Sequence, residues 1–246
     1  ELKGGVVKEF DAGVSPAEIA KSIGMGLYKS VCAAKINGEV CDLRTPINED
    51  CKVELLTFDD AEGKKAFWHS ASHVLAQAVK RLYPNAKCAI GPAIDNGFYY
   101  DFDFGTEKLS DTDFPAIEKE MRKILVGNHD FIRKEVSKAE ALELFKDEPY
   151  KIELINDLPD GETITTYEQD GYLDLCRGPH VTNTKEINGQ AFKLNKIAGA
   201  YWRGDATKAQ LTRIYALCFA KPNDLKDYLA MLQEAEKRDH RKLGVE

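Results

Sequence analysis

The hydrophobic pattern of this chain switches repeatedly between a period of two and a period near 3.6, and each switch marks an element. Gly4-Gly5 is a hairpin turn signal between Glu1–Lys3 and Val6–Phe10. Ser15-Pro16-Ala17-Glu18 is a capping box with proline at the first helical position. A helix therefore starts there, turns Ile19, Ala20 and Ile23 inward, and ends at Gly24 and Gly26. Val31–Ile36, the turn Asn37-Gly38 and Glu39–Leu43 form a second hairpin, and alternation through Cys51–Phe58 makes a further strand. Two hairpins around one helix, closed by another strand, predict a β-grasp unit over residues 1–60. No residue in it suggests catalysis, so the pattern predicts a packing or docking module.

The polar run Asp59–Gly63 predicts a domain boundary. A helical pattern follows from about Gly63 to Leu82 and ends at Tyr83-Pro84, with an apolar face of Phe67, Ala71, Val74, Leu75, Ala78 and Leu82. At ~100° per residue, His69 and His73 fall opposite that face, beside Ala66 and Ala76. This predicts two histidines outside the core, on a wall small enough to line a cleft, whose loss would change stability little. Asn96-Gly97 turns into an alternating strand, with Phe98, Tyr100, Phe102 and Phe104 on one face and Tyr99, Asp101 and Asp103 on the other. A helix is predicted over Asp113–Val126, striped by Ile117, Met121, Ile124 and Leu125. A strand follows at Phe131–Val136 and a capped helix at Ser137–Phe145. Tyr150–Leu154 fits neither period, and Asp157–Asp170 reads as a polar loop. Tyr172–Cys176 is strand-like and delivers Cys176 to the tight connection Arg177-Gly178-Pro179. Ala191–Leu194 and Leu211–Ala220 are strands. Between them, Ala198–Asp205 mixes small, aromatic and charged residues, which suits close strand packing near a polar site. Pro222-Asn223-Asp224 caps a charged helix, Leu225–Lys242, that stops at Gly244 and is predicted to link to a further domain. The fold class is α+β: a β-grasp unit (1–60), a mixed α/β unit (61–223, with a subdomain at about 171–220) and a terminal linker helix (224–246).

Three of the five histidines lie in two short stretches, His69-Ser70-Ala71-Ser72-His73 and Cys176-Arg177-Gly178-Pro179-His180. The first pair shares one helix face at i and i+4. The second offers a thiol and an imidazole across one tight turn. His69, His73, Cys176 and His180 are a ligand set that suits Zn²⁺ and equally suits water activation by imidazole. The H-E-x-x-H protease pattern is excluded, because Ser70 stands where its general base would be.

Composition narrows the picture further. A chain of 246 residues with 43% hydrophobic and 30% charged content is an ordinary globular protein, long enough for two domains. No apolar run approaches the roughly 18–20 residues of a membrane span, and Glu1–Gly5 has no signal-peptide character. The six cysteines are scattered singly, which predicts free thiols in a reducing cytosol. A net charge of −7 argues against a free-standing nucleic-acid binder, though not against one whose nucleic acid is gripped elsewhere.

Several of these stretches together resemble the amino-terminal half of bacterial threonyl-tRNA synthetases. They are His69–His73, Ile90-Gly91-Pro92, Gly97–Asp101, Asp174–His180 and Gly199–Gly204, with the final Lys237–Gly244 resembling the junction into that family's aminoacylation domain. The resemblance implies a TGS domain over 1–60 and an editing domain up to about 223. It implies hydrolysis of Ser-tRNA(Thr), with His69, His73, Cys176 and His180 as the central set. Lys151 would polarise the ester or a water, Asp174 would meet the serine ammonium, Tyr100 would form a wall or hydrogen-bond partner, and Arg177 would hold phosphate or ribose. Hydrolysis is expected without a metal, with zinc on the four-residue set as the alternative. ATP and Mg²⁺ belong to the ligase reaction of a full-length parent, whose class II motifs are not among these residues. The expected partner is the acceptor end of tRNA(Thr), with a homodimer formed through the parent's catalytic domain. Two other classes fit parts of the pattern: a zinc hydrolase of another ester or amide, and a non-catalytic RNA-docking module using the β-grasp unit and the basic Lys237, Arg238, Arg241 and Lys242.

Overall fold

A computed structural model describes residues 1–243, with side chains through residue 239; Gly244 and the side chains of Arg241 and Lys242 lie outside the described residues. The first unit contains α1 (Pro16–Ile23), α2 (Met25–Ser30), β1 (Val31–Ile36), β2 (Glu39–Cys41) and β3 (Val53–Thr57). The Ser15–Glu18 capping box forms, with Ser15 Oγ accepting from Glu18 N and Glu18 accepting from Ser15 N. The strands make an antiparallel sheet of order β2-β1-β3, with Ala20, Val31, Ala34 and Leu43 at its core. Of the predicted first hairpin only the Gly4-Gly5 turn forms, with Leu2 N donating to the Val6 carbonyl at 2.7 Å. Leu2 makes one parallel bridge to Val53, and Val6–Phe10 pairs with no strand. Val6 and Val7 are 53% and 73% exposed, so pairing there would bury no apolar face to stabilise it.

The second unit is built around α3 (Ala61–Leu82). After it come β4 (Lys87–Cys88), β5 (Ala93–Ile94), β6 (Gly97–Asp103), α4 (Phe114–Val126), β7 (Ile132–Val136), α5 (Lys138–Leu144) and α6 (Pro149–Asn156). The order continues with β8 (Ile164–Gln169), β9 (Tyr172–Leu175), β10 (Phe192–Tyr201), β11 (Gln210–Cys218) and α7 (Pro222–Leu243). One antiparallel sheet runs β10-β11-β6-β4 with β5 on β6; the other runs β7-β8-β9. The ring stripe of β6 is core as expected: Phe98, Tyr100, Phe102 and Phe104 are buried against α3 and α4.

Three parts of this unit depart from expectation. Residues read as a polar loop contain β8, whose Thr165, Thr166, Tyr167 and Gln169 are buried. Thr165 Oγ1 donates to the Cys176 carbonyl, Tyr167 Oη to Asp42 and Gln169 Nε2 to Gln77, so polarity there does not signal solvent. The ambiguous stretch around Tyr150 is the helix α6, with Pro149 in its first turn. The strand read as Ala191–Leu194 continues to Tyr201 along β11. The mixed segment that follows lies among ion pairs of Arg203 with Glu153 and Asp157, and its residues do not line the histidine cavity.

Candidate functional site

From Ala66 to Val79 every residue of α3 is buried except His69. The histidine face is therefore interior, contrary to the reading of the helix as one-sided. The period predicts His69 and His73 outside the core, yet His73 is buried along with Ser70, Ser72 and Gln77. A loop and a sheet pack against them, and short polar side chains permit that approach. Ser70 Oγ accepts from Val181 N at 3.0 Å, Ser72 Oγ donates to the Gly91 carbonyl at 2.9 Å, and Gln169 Nε2 donates to Gln77 Oε1 at 3.3 Å.

The four sequence-predicted ligands meet. Their ligand atoms all lie within 4.8 Å of one another. Cys176 Sγ is 3.0 Å from His180 Nε2 and 3.6 Å from His69 Nε2, and the His73 and His180 ring centres are 4.3 Å apart. Gly178 N donates to Cys176 Sγ at 3.1 Å. Glycine is required at 178, where φ is +70° and an added Cβ would sit 2.1 Å from Tyr167 Oη.

Hydrogen-bond valence assigns the His180 tautomer. Ser70 Oγ has one hydrogen and two lone pairs. The hydrogen goes to the Ala66 carbonyl at 2.8 Å, and Val181 N takes one lone pair. The remaining lone pair accepts His180 Nδ1–H at 2.9 Å, which leaves His180 Nε2 free to accept from Cys176. Burial pushes His73 down to about 4, with Asp174 pulling the other way, and depresses His69 and His180 as well. His69 stands partly exposed at the cavity. Burial raises the Cys176 thiol well above its ordinary range, against the opposing Gly178 N–H. At neutral pH the cluster holds free-base imidazoles and a protonated thiol.

Beside it lies a buried charged network. Lys151, presented by α6, donates to Asp174 Oδ1 at 2.7 Å and to Tyr100 Oη at 3.0 Å. Tyr100 donates in turn to Asp174 Oδ2 at 2.8 Å. Burial works to raise the Asp174 carboxyl, but Lys151 and His73 outweigh it and hold it below the usual carboxylate range. His73 Nε2 faces Asp174 Oδ2 at 3.6 Å, while His73 Nδ1 is buried without a hydrogen-bond partner. All three residues contact one cavity of about 700 Å³, together with His69, His73, Gly91, Pro92 and Pro179. Cys176 and His180 stand behind the cavity wall and do not line it. Arg177 is not brought in: it is exposed, pairs with Glu162, and is not among the lining residues.

The donor set fits a divalent metal. Tetrahedral zinc, with bonds of about 2.0–2.3 Å, places its ligand atoms roughly 3.3–3.8 Å apart. The cluster's spacing is close to that, and the unpartnered His73 Nδ1 is an atom such an ion would satisfy.

Five supporting residues carried no sequence signal: Ser70, Asp42, Arg44, Phe131 and Tyr167. Phe131 stacks on His180 at 5.4 Å between ring centres with 5° between planes, and Tyr167 meets the same ring edge-on at 4.3 Å. Of these only Ser70 stands in a motif, as one of the two serines between the histidines of α3.

Comparison with known proteins decides the relationship. The TGS domain family matches residues 2–57, and the threonyl and alanyl tRNA synthetase second additional domain matches residues 164–215. The chain therefore carries a TGS domain and a second additional domain of the threonyl and alanyl tRNA synthetase type. It is 53% identical over 245 residues to the threonine–tRNA ligase of Porphyromonas gingivalis, covering 98% of this chain and 37% of that protein. Against the threonine–tRNA ligase of Clostridium tetani it is 54% identical over 251 residues, covering all of this chain and 38% of the relative. The chain thus spans less than two fifths of the length of the ligases it matches. The second additional domain match begins at the first residue of β8, the strand hidden in an apparent loop, and contains Asp174, Cys176 and His180.

Proposed function

We propose that this ligase region hydrolyses serine esterified to tRNA(Thr) and spares threonyl-tRNA(Thr). The observation that carries the reading is the convergence of His73, Lys151, Asp174 and Tyr100 on one cavity beside the histidine–cysteine cluster. A site that selects threonine against serine must discriminate one methyl group, worth only about 1–3 kcal/mol, so a second, smaller site is needed to remove the error.

His73 is the general base. Asp174 lies 3.6 Å from its Nε2 and sets the ring's orientation, and burial keeps the imidazole in the free-base form that can take a proton. The water adds to the ester carbonyl as His73 takes its proton. Lys151 meets the developing oxyanion, and the proton passes to the departing ribose oxygen. Asp174 meets the serine ammonium; Glu62, the other carboxylate lining the cavity, is engaged with Lys35 at 2.9 Å. Tyr100 buttresses the pair: an added Cβ at Gly91 would sit 2.1 Å from its ring, so ring and loop close one wall against bulkier side chains. His69 shares the cavity wall, while Cys176 and His180 hold the imidazole group from behind. Arg177, exposed and next in the chain to the lining Gly178, would meet phosphate or ribose by exchanging its contact with Glu162.

Hydrolysis by this route needs no metal, because Ser70, His180 and Cys176 already satisfy one another. If zinc is bound, His69, His73, Cys176 and His180 would hold it, and it would supply a water of lowered pKa. The partner is the acceptor end of tRNA(Thr). The six described cysteines are free, which supports a cytosolic setting, and no described helix is long and apolar enough to cross a membrane. ATP, Mg²⁺ and dimer formation are assigned to a complete ligase. Deacylation of Ser-tRNA(Thr) and Thr-tRNA(Thr) by this chain tests the reading: hydrolysis of the first alone supports it, and hydrolysis of neither contradicts it.

A further inference from the structure

We infer that Asp42 and Arg44, from the β-grasp unit, are positioning residues of the hydrolytic centre. They hold the loop that carries His180, and the inference rests on the functional reading above. Arg44 reaches across to the second unit and donates Nε–H to the Phe131 carbonyl at 2.7 Å. Its two terminal nitrogens donate to the His180 carbonyl at 3.0 Å and the Val181 carbonyl at 2.6 Å. Asp42 lies 3.2 Å from the same guanidinium and completes the clamp. Its Oδ2 accepts from His180 N at 3.2 Å and from Tyr167 Oη at 2.8 Å. The backbone of His180 is thereby held at both its N–H and its carbonyl by two residues of the β-grasp unit. The ring is held separately, by Ser70 at Nδ1 and by Phe131 and Tyr167 on its faces.

This arrangement is specific in kind. A guanidinium fork spanning three carbonyls of two segments fixes their relative position in a way an ammonium cannot reproduce. Asp42 is 6% exposed, and it spends its charge on Arg44 and on donors of the His180 loop and β8. The β-grasp unit, in which no residue suggested catalysis from sequence, supplies support directly behind the Cys176–His180 pair. A shift of that loop by a fraction of an ångström would displace Cys176 and His180 from His73, and positional errors of this kind reduce turnover more than affinity.

The test uses the full 246-residue chain with Arg44→Met, Arg44→Lys and Asp42→Asn. Two quantities are read: Ser-tRNA(Thr) deacylation kinetics, and the ¹⁵N signals of the His180 ring, which report its Nδ1–H tautomer without reference to substrate. The expected result for Arg44→Met is a kcat lowered about 10–100-fold with KM nearly unchanged, and a shifted or tautomer-averaged His180 signal. Arg44→Lys should fall between the two. If Arg44→Met does not fold, Arg44→Lys and Asp42→Asn carry the comparison. A native kcat and native His180 signals in folded variants, with only stability reduced, would overturn the inference. If the parent chain hydrolyses nothing while the variants still change the His180 signals, the functional reading fails and the positioning role stands.

Discussion

Lys151 Nζ and Asp174 Oδ1 lie 2.7 Å apart with their side chains 4% and 2% exposed. They come from α6 and β9 and stand 23 positions apart in the chain. A buried pair of this kind leaves an uncompensated charge when one partner is removed, at a cost of about 3–5 kcal/mol. Lys151→Met and Asp174→Asn should each destabilise the chain by that order. The double variant should cost clearly less than the sum of the two. Urea unfolding of the three variants measures this, and additive losses would show that the two charges are stabilised independently.

The buried imidazoles set the response to acid. The folded His73 value is lowered to about 4, while the unfolded chain protonates near 6.5. Between these values the unfolded state binds a proton that the folded state does not. Stability is therefore complete above about pH 6.5 and falls as pH drops towards 4, by about 1.4 kcal/mol per unit for each such group. Asp174 is also lowered, but its loss comes below the ordinary carboxylate range and does not overlap this window. Unfolding free energies at pH 7.5 and 5 should differ by about 2 kcal/mol less in His73→Gln than in the parent chain. Equal pH dependence in both would mean that His73 is not held neutral by burial.

Ser70 should be costly to lose despite its size. It accepts from Val181 N and from His180 Nδ1, so Ser70→Ala leaves two buried donors without a partner, each worth about 1–3 kcal/mol. Destabilisation of several kcal/mol, with a loss of the His180 Nδ1–H signal in ¹⁵N spectra, is the expected outcome. A change near zero would mean that another acceptor serves His180.

The elements of this fold were readable wherever burial is one-sided. The stripe of α4 and the rings of β6 are buried as their periods predict, and the Ser15 box caps its helix. Reading failed where polar residues are buried. β8 was hidden because Thr165, Thr166 and Gln169 look like loop residues until their partners are known. The histidine face of α3 was assigned to the outside for the same reason. Local pattern cannot register a second layer that arrives from residues 164–182. The four central residues were found because their chemistry is rare and their spacing is local, two on one helix and two on one loop. Asp42 and Arg44 were not, since their partners lie 87–138 residues away. Placing His69 and His73 outside the core also led to an expectation of little stability change on their loss. His73 is only 1% exposed, and His73→Ala should instead cost about 2–4 kcal/mol.

The cluster should behave as one unit in catalysis. His73→Ala is expected to remove most hydrolysis, and adding His180→Ala should then cost little more, because groups acting on one step are not additive. Single-turnover rates of the two single variants and the double variant, each compared at a temperature where it is folded, measure this. Multiplicative losses would assign the two histidines to separate steps.

The most direct test of the central claim is single-turnover deacylation of Ser-tRNA(Thr) against Thr-tRNA(Thr) by the parent chain and His73→Ala, before and after exhaustive chelation. The predicted result is rapid loss of serine only, abolished in His73→Ala and unchanged by chelation. Serine loss that survives His73→Ala would contradict the assignment of the base. Serine loss abolished by chelation and restored by zinc would replace the metal-free reading with a zinc-bound one.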